Sequence, residues 1–253
     1  MGSLVNKRAL VTAAGQGIGK SVAEGLLKAG CDLAIHYYSN EKGAQEVAAL
    51  AKSLGRKAQC FQADLTDEKA AIEMVRQASD FLGGLDVLVN NAGGLVARKP
   101  LGEVTLAFWQ KVIDINMTSM MFVTREAVPH LAKANGSSII NISSLAGRKG
   151  GHGGSLVYST TKGAVLTLTR ALSGELAALG IRVNAVAPGL ILGTSFHTTH
   201  TSKESADETI KGIPLARAGN AEDISRPVVF LASEYDGFIT GATLDINGGV
   251  YCA

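Results

Sequence analysis

Tyr158 and Lys162 lie four positions apart in the run YSTTK, at the start of a segment whose pattern predicts a long helix. Residues at i and i+4 share one face of a helix, within reach of each other's side chains. A phenol has a pKa of about 10 and is a weak acid at neutral pH. A neighbouring ammonium stabilises the phenolate and lowers that pKa. The pair is therefore a candidate proton donor with its electrostatic partner, although this spacing also arises by chance in many helices.

The composition favours one compact domain over residues 1–253, because 46% of the residues are hydrophobic and 30 are glycine. A net charge of +2 gives no reason to expect nucleic acid as a partner. No apolar run reaches the roughly 18 residues of a membrane span, and the N-terminus lacks a signal-peptide pattern. Cys31, Cys60 and Cys252 lack metal-ligand spacing. We expect no membrane partner, no metal site and reduced thiols in a cytoplasmic protein.

Apolar, β-branched runs alternate with helical patterns along the chain. Strands are predicted over residues 8–14, 32–38, 57–65, 85–93, 137–144, 181–188 and 241–248. Helices are predicted over residues 19–30, 41–54, 67–82, 105–133 (broken near Asn116) and 158–179. Near-continuous apolar strands need cover on both faces, and parallel neighbours need right-handed crossovers. The prediction is a doubly wound α/β fold with a seven-stranded parallel sheet and helices on both faces.

The polar segment that follows the sixth strand interrupts this alternation. A long loop in a compact domain is usually functional or disordered. Because open α/β sheets bind ligands beyond the carboxyl ends of their strands, we predict a substrate lid over about 190–222. A surface insertion without function is the alternative.

The first predicted strand runs into the turn TAAGQGIG, residues 12–19, which opens the first helix. Glycine lets the backbone turn sharply and lets a pyrophosphate approach the free N–H groups of a helix N-terminus. The position after the first strand predicts a dinucleotide-binding turn, with a tight turn that binds nothing as the alternative.

The end of the second strand reads HYYS and has no carboxylate before Glu41. An acidic residue there would accept a hydrogen bond from the adenosine ribose and favour NAD. Its absence removes the repulsion of a 2′-phosphate and favours NADP(H), although the basic side chains nearby are limited to Lys42 and His36, and NAD(H) stays open.

Several ordered motifs together resemble the short-chain dehydrogenase/reductase family over nearly the whole chain. They are the glycine turn, the pair Asp64–Leu65, the run NNAG ending at Gly93, and Pro188–Gly189 followed by Thr194. The resemblance implies a Rossmann-like, NAD(P)-dependent oxidoreductase. It implies the catalytic residues Asn116, Ser144, Tyr158 and Lys162. It implies cofactor contacts from Thr12, Ala13, Gly15, Gln16, Gly17, Ile18, Gly19, Tyr37, Tyr38, Ser39, Asp64, Leu65, Asn91, Ala92, Gly93, Tyr158, Lys162, Pro188, Gly189, Ile191 and Thr194.

The same resemblance implies a role for each catalytic residue. Tyr158 exchanges the proton with the substrate oxygen, and Lys162 lowers its pKa and holds the ribose. Ser144 hydrogen-bonds the substrate oxygen, and Asn116 holds a water that links Lys162 to solvent. The alternatives are an Asn116 that satisfies backbone groups at a helix break, a Ser144 that caps a strand end and a solvated Lys162.

The chain departs from the family pattern at several positions. Ala13 replaces the first glycine, which requires a negative φ there. Gln16 stands where many NADP-using relatives have Arg. One extra residue lies between Ser144 and Tyr158. Ser143 adjoins Ser144, and we choose Ser144 because it directly precedes the turn Leu-Ala-Gly.

Basic residues cluster in three loops that we expect near the nicotinamide. They are Arg98 and Lys99; Arg148, Lys149 and His152; and His197, His200 and Lys203. A basic, polar lining suits an anionic, hydroxylated substrate, unless these cations are only solvated surface groups. The candidate substrate contacts are Gly94, Arg98, His152 and His197.

The loops NNAGGLVARKPL, TSFHTTHT and GIPLARAGNAED, with the C-terminal LDINGGVY, are similar to bacterial reductases of the alginate-derived keto-uronate 4-deoxy-L-erythro-5-hexoseulose uronate. Its carboxylate would bind Arg98 or Lys99. The alternatives are a 3-oxoacyl-carrier-protein reductase, another sugar or polyol dehydrogenase, and a dinucleotide-binding regulator without catalysis.

The helices predicted at 105–133 and 158–179 carry more apolar residues than one core-facing stripe needs, namely Met117, Met120, Met121, Phe122, Leu166 and Leu168. The family commonly pairs these helices between subunits, so the resemblance implies a homodimer or homotetramer. Burial within the monomer is the alternative.

Overall fold

Seven parallel strands form one sheet in the order β3-β2-β1-β4-β5-β6-β7. The computed structural model describes residues 4–194, 199–233 and 237–253. The strands are β1 (Arg8–Val11), β2 (Asp32–Tyr37), β3 (Ala58–Gln62), β4 (Val87–Asn90), β5 (Ser137–Ile142), β6 (Ile181–Pro188) and β7 (Thr243–Ile246). The predicted doubly wound α/β fold with a seven-stranded parallel sheet is confirmed.

Helices connect these strands and cover the sheet. They are α1 (Gly17–Lys28), α2 (Glu41–Ser53), α3 (Glu68–Leu82), α4 (Leu106–Ile113), α5 (Ser119–Leu131), α6 (Leu145–Lys149), α7 (Leu156–Leu176), α8 (Lys203–Lys211) and α9 (Ala221–Ala232). A π-helical turn, Asp114–Thr118, joins α4 to α5, at the break predicted near Asn116. Two 3₁₀ turns occupy Leu101–Glu103 and Ala177–Leu179.

Alternate residues of each strand face opposite sides of the sheet and build two cores. Val11 of β1 packs into a cluster with α1, α2 and α9 on one face. Its neighbour Leu10 packs into a second cluster with α3 and α5 on the other face. Both side chains are fully buried. Helices on both faces explain why the strands read as continuous apolar runs.

The strand order reverses at β1, which lies between β2 and β4. Val11 of β1 pairs with Val89 of β4, so the two strands end side by side. Ligands of open α/β sheets bind beyond the carboxyl ends of the strands at such a reversal. The turn after β1 and the NNAG run after β4 therefore meet at the expected ligand crevice.

The segment predicted as one long loop contains a helix. Ser202 accepts a hydrogen bond from the backbone N–H of Ser205, and this cap starts α8 within the proposed lid. Helix α9 was also missed. Its signal is a capping box in which Asn220 and Asp223 each accept from the other's backbone.

Among the residues that the structure describes, no helix has both the length and the apolar character needed to cross a bilayer.

Candidate active site

A cavity of about 900 Å³ opens at the carboxyl ends of the strands. One half is lined by the glycine turn after β1, including Gly17 and Gly19. The other half contains Ser144, Tyr158 and Lys162. The fold therefore brings the predicted dinucleotide turn and three of the four predicted catalytic residues to one space.

The N-terminus of α1 is open to this cavity. Gln16, the N-cap residue, makes no side-chain capping bond, and no acidic residue lies in the first turn. Gly17 adopts a φ of +54°, and a Cβ on Gly19 would overlap the carbonyl oxygen of Ala13 and the amide of Asn91. Free N–H groups, a favourable dipole and a backbone that only glycine permits fit a pyrophosphate.

Ala13 adopts a φ of +52°, in the left-handed region. The expected negative φ is therefore wrong. A Cβ in this region clashes with the neighbouring carbonyl, which is why glycine is preferred there. The turn keeps its shape because the Ala13 N–H donates to His36 Nδ1 at 3.0 Å and its carbonyl accepts from Asn91 Nδ2 at 3.2 Å.

Thr12 and Asn91 join the turn to the end of β4. The Thr12 hydroxyl accepts from the backbone N–H groups of Asn91 and Ala92, both at 2.9 Å. Asn91 Nδ2 donates to the Thr12 carbonyl at 3.0 Å. Thr12 and Ala92 thus support the turn from behind, whereas Asn91 and Gly93 line the cavity.

His36 is buried behind the turn and does not face a ligand. Its Nδ1 accepts from the Ala13 N–H, and its Nε2 donates to the Ala63 carbonyl at 3.1 Å. Burial lowers the pKa of His36 to about 4, so the imidazole is neutral near pH 7. The suggestion that His36 supplies positive charge for a 2′-phosphate is therefore wrong, and Lys42 remains as the exposed cation nearby.

The other adenosine-side candidates surround the end of β2. Tyr37 is buried, whereas Tyr38 and Ser39 are exposed. Gly15 lies close to α2, because Asn40 Nδ2 donates to its carbonyl at 3.0 Å. Asp64 accepts from the backbone and the hydroxyl of Thr66, which fixes the turn after β3. Leu65 is buried in the core beside that turn. None of these six candidate positions (Gly15, Tyr37, Tyr38, Ser39, Asp64 and Leu65) lines the 900 Å³ cavity.

The adjacent serines after β5 have different contacts. Ser143 donates to the Lys162 carbonyl at 2.7 Å, which joins β5 to α7. Ser144 caps α6 by accepting from the Ala146 N–H at 3.1 Å. It also hydrogen-bonds Tyr158. The hydroxyl proton of Ser144 is thus free to point at the phenol oxygen.

The ionisation of Tyr158 differs from the expectation. Burial raises the pKa of the phenol to about 12, and the hydrogen bond with Ser144 lowers it by a smaller amount. Burial also lowers the pKa of Lys162 to about 8. Lys162 Nζ lies 5.8 Å from the Tyr158 ring centroid and donates to the Ile142 carbonyl at 2.8 Å. Desolvation therefore sets the direction of the shift, Lys162 contributes no lowering of the tyrosine pKa, and Tyr158 is protonated near pH 7.

Asn116 lies in the π-helical turn and is fully buried. Its Nδ2 donates to the carbonyls of Val112 and Gly94, both at 2.9 Å, and its Oδ1 accepts from the Gly94 N–H at 3.0 Å. Asn116 therefore satisfies backbone groups at the helix break, and the water-holding role that the family resemblance implies stays a prediction. Gly94 is held by these bonds and does not line the cavity, unlike Gly93.

The segment after β6 forms the wall opposite the glycine turn. The cavity is lined on this side by Pro188, Gly189, Ile191 and Thr194. On the side of the glycine turn it is lined by Ala13, Gln16 and Ile18. A Cβ on Gly17 would lie 3.5 Å from Thr194. The two predicted dinucleotide-binding segments therefore face each other at contact distance.

The predicted basic lining is partly present. Arg98, Lys149 and His152 line the cavity. Arg98 Nη1 donates to the Gly153 carbonyl at 3.1 Å, so its guanidinium also joins two loops. Arg148 pairs with Asp245 at 3.0 Å and does not line the cavity, so its inclusion among the substrate-facing cations is wrong. His197 lies outside the described residues.

Several cavity residues were missed by the sequence reasoning. They include Leu95 from the loop after β4, Thr201, Ser205, Thr209 and Ile213 from the segment proposed as a lid, and Val250 near the C-terminus. Glu208 also lines the cavity, and Lys211 pairs with it at 2.7 Å. Leu95 follows the NNAG run, whereas the place of the others at the cavity depends on how α8 and the chain end fold back over the sheet.

Comparison with known proteins identifies the family. The sequence profile described as "Enoyl-(Acyl carrier protein) reductase" matches residues 12–251. The chain is 38% identical to the 3-oxoacyl-[acyl-carrier-protein] reductase FabG of Staphylococcus aureus, covering 98% of this chain and 99% of that protein.

Two solved structures share the fold. One is a blue fluorescent protein from a metagenomic library in complex with NADPH, with a TM-score of 0.92, 34% identity, and coverage of 99% of this chain and 100% of that one. The other is the NADH-dependent reductase A1-R′, responsible for alginate metabolism, with a TM-score of 0.90, 30% identity and 99% coverage of both chains. The chain therefore belongs to the short-chain dehydrogenase/reductase family and is an NAD(P)-dependent oxidoreductase.

Proposed function

We propose that this protein is an NADP(H)-dependent carbonyl reductase in which Tyr158 is the proton donor. The observation that carries the proposal is the convergence of Ser144, Tyr158 and Lys162 in one cavity with the glycine turn of α1. A phenol with a pKa of about 12 is protonated near neutrality, which suits the direction of carbonyl reduction.

Each residue of the site has a defined part in this chemistry. A bound nicotinamide dinucleotide supplies the hydride. Tyr158 gives its proton to the carbonyl oxygen, and the Ser144 hydroxyl hydrogen-bonds that oxygen as charge develops on it. Lys162 places a cationic amine beside the phenol and, in this proposal, binds the ribose. Asn116 keeps the loop at Gly94 in place beside them.

The dinucleotide would be held by the turn from Thr12 to Gly19 and by the segment from Pro188 to Thr194. NADP(H) is favoured because the end of β2 lacks a carboxylate and Lys42 is exposed beside it. The NADPH complex of the metagenomic protein agrees with this preference, whereas the alginate reductase is NADH-dependent. The ratio of kcat/KM for NADPH and NADH tests it, and a higher value for NADH would refute it.

We propose an anionic, sugar-derived aldehyde or ketone as substrate, with the alginate-derived keto-uronate as the first choice. Among the described residues, Lys149, His152 and Arg98 line the cavity, and Glu208, the one acidic residue of that lining, is paired with Lys211. The similarity to the alginate reductase supports the same choice. The substrate contacts Gly94 and His197 remain proposals, as does a lid over about 190–222.

A 3-oxoacyl-carrier-protein reductase is the second candidate, because FabG is similar at higher identity. The decisive assay follows NADPH oxidation with the keto-uronate and with an acetoacetyl thioester. Faster turnover of the uronate is expected. Rapid turnover of the thioester without turnover of the uronate would contradict the substrate assignment, and binding of NADPH without any turnover would favour a regulator.

A matched pair of variants tests the carboxylate contact. Lys149→Gln removes a cation from the cavity, whereas Lys99→Gln removes one that lies over the Phe108 ring outside it. A charge-assisted hydrogen bond contributes about 1.5 to 3 kcal/mol, so Lys149→Gln should raise KM for the uronate by about tenfold or more. Equal KM values for both variants would contradict the contact.

We further propose a homodimer or homotetramer in a reducing, cytoplasmic location. Met121 and Leu156 are about two-fifths exposed, whereas Met120 and Leu166 are buried within the monomer. The three cysteines are free thiols. Sedimentation should give a mass well above that of the 26.2 kDa chain, and a monomeric mass would refute this part.

A further inference from the structure

Helix α6 holds Ser144 against Tyr158. Ser144 is its N-cap residue, so the position of the hydroxyl follows the position of this five-residue helix. Gly147 packs directly on α7, because a Cβ there would lie 2.5 Å from the carbonyl carbon of Lys162. One side of α6 is therefore fixed by close packing.

The other side of α6 is fixed by Arg148. Its Nε and Nη2 donate to the two carboxylate oxygens of Asp245 on β7, both at 3.0 Å. The side chains of both partners are only 14% exposed, so water screens the pair weakly. The guanidinium also lies 5.7 Å from the Tyr251 ring centroid.

Arg148 thereby contacts the C-terminal segment that lines the cavity. Asn247 shapes this segment, since its Oδ1 accepts from the N–H groups of Gly249 and Tyr251 and its Nδ2 donates to the Tyr251 carbonyl at 3.0 Å. Val250, within this loop, lines the cavity. A single guanidinium thus connects the helix of Ser144 to the wall formed by Val250.

We propose that Arg148 is a positioning residue that acts through Ser144. It keeps α6 and the C-terminal segment in register, so that the Ser144 hydroxyl stays aimed at the oxygen shared by Tyr158 and the substrate. The inference rests on the proposed role of Ser144. Displacing a reacting group by about 1 Å can lower a rate by about 10²-fold. Loosening α6 would displace the Ser144 hydroxyl, so it should lower kcat more than it alters cofactor binding.

The test compares Arg148→Met with Arg56→Met. Arg56 pairs with Asp32 at 3.0 Å, with side chains 21% and 18% exposed, at the amino ends of β2 and β3 away from the cavity. Arg148→Met should lower kcat by about tenfold or more with little change in KM for NADPH, whereas Arg56→Met should leave kcat nearly unchanged. Asp245→Asn breaks the same pair from the other side and should reproduce the Arg148→Met pattern.

Two further readouts separate positioning from general stability. Amide hydrogen exchange in the presence of NADPH should rise at 145–149 and at 247–251 in Arg148→Met only. In a Ser144→Ala background, Arg148→Met should lower kcat by less than about twofold, because both changes disturb one unit. The proposal would be overturned if the losses of kcat from Ser144→Ala and Arg148→Met multiplied in the double variant. It would also be overturned if Arg148→Met showed the same exchange and the same kcat as Arg56→Met. If the wild-type protein reduced no carbonyl compound, the proposed function would fail, and the exchange comparison would still decide whether Arg148 holds the two segments.

Discussion

At the scale of single residues, desolvation sets the chemistry of the site. Tyr158 and Lys162 are shifted in opposite directions, because burial disfavours the charged form of each. The pKa of the phenol rises to about 12 and that of the amine falls to about 8. A protonated phenol next to a Ser144 hydroxyl is therefore the resting arrangement, which suits the proposed donation of a proton to a substrate oxygen.

Ala13 provides a prediction about backbone strain. Its φ of +52° is a conformation that glycine adopts without a steric penalty. Replacing alanine by glycine at such a position should raise the free energy of unfolding by about 0.5 to 1 kcal/mol. Urea denaturation of Ala13→Gly measures this, and a variant less stable than the wild type would contradict it.

The meeting of Ser144, Tyr158 and Lys162 in one cavity could be predicted from sequence, but several contacts could not. Helical spacing brings Tyr158 and Lys162 together, and the family resemblance points to Ser144 before the turn Leu-Ala-Gly. The partner of Arg148 lies 97 positions away, so no local pattern reveals the pair. The burial of His36 depends on the turn that folds over it. The local sequence HYY does not indicate whether the histidine faces water or the core, so this burial could not be predicted.

At the scale of elements, short irregular pieces position the site. The π-helical turn directs Asn116 inward onto Gly94, and α6 places Ser144 at its first turn. Apolar periodicity predicts long helices and strands well, whereas a five-residue helix has too few residues to show a period. Ser202 is a capping signal for α8 inside a polar segment. Helix α9 has a capping signal at Asn220 and apolar residues at helical spacing, Ile224, Val228 and Leu231, so the sequence could have revealed it.

The packing of α6 on α7 gives a prediction at this scale. Gly147→Ala places a methyl group 2.5 Å from the Lys162 backbone, which must push α6 away. Overpacking of this kind costs about 1 to 3 kcal/mol. We expect a lower free energy of unfolding and a kcat reduced by about tenfold or more as Ser144 moves.

Gly174→Ala is the matched control, because nothing lies within 4 Å of a Cβ there and the residue is inside α7. It should stabilise the helix by about 0.5 to 1 kcal/mol and leave kcat unchanged. Equal kinetics for the two variants would show that the close approach of α6 does not support the site.

At the scale of the whole molecule, the order of the strands creates the site. The reversal at β1 brings segments from residues 12–19, 90–94, 142–162 and 188–194 to one edge of the sheet. This much could be predicted, because alternating strands and helices allow few topologies. The sequence could not predict that α8 and the chain end line the cavity, because this depends on contacts between distant segments.

His36 links the stability of the molecule to pH. Its pKa is about 6.5 in an unfolded chain and about 4 when folded. Between these values the unfolded state binds more protons, so stability falls as pH decreases from about 6.5 to about 4. The free energy of unfolding lost through this one group approaches about 3 kcal/mol near pH 4 and is negligible above pH 7.

Comparison with His36→Gln isolates this contribution. Glutamine can accept from Ala13 and donate to Ala63 but does not titrate. Groups shared by both proteins cancel, among them Asp223, whose pKa is lowered to about 2 chiefly by its hydrogen bond from Arg217. The free energy of unfolding, measured with urea, should fall between pH 7 and pH 4.5 by about 2 kcal/mol more in the wild type than in His36→Gln. Equal losses would contradict the buried, neutral His36.

The measurement that tests the account most directly is the kcat of Tyr158→Phe for NADPH-dependent reduction, together with its affinity for NADPH. Removing a general acid lowers a rate by about 10²- to 10⁴-fold. The account predicts a loss in this range, with the Kd for NADPH, followed by fluorescence, changed by less than about tenfold. A variant that keeps most of the wild-type kcat would contradict Tyr158 as the proton donor.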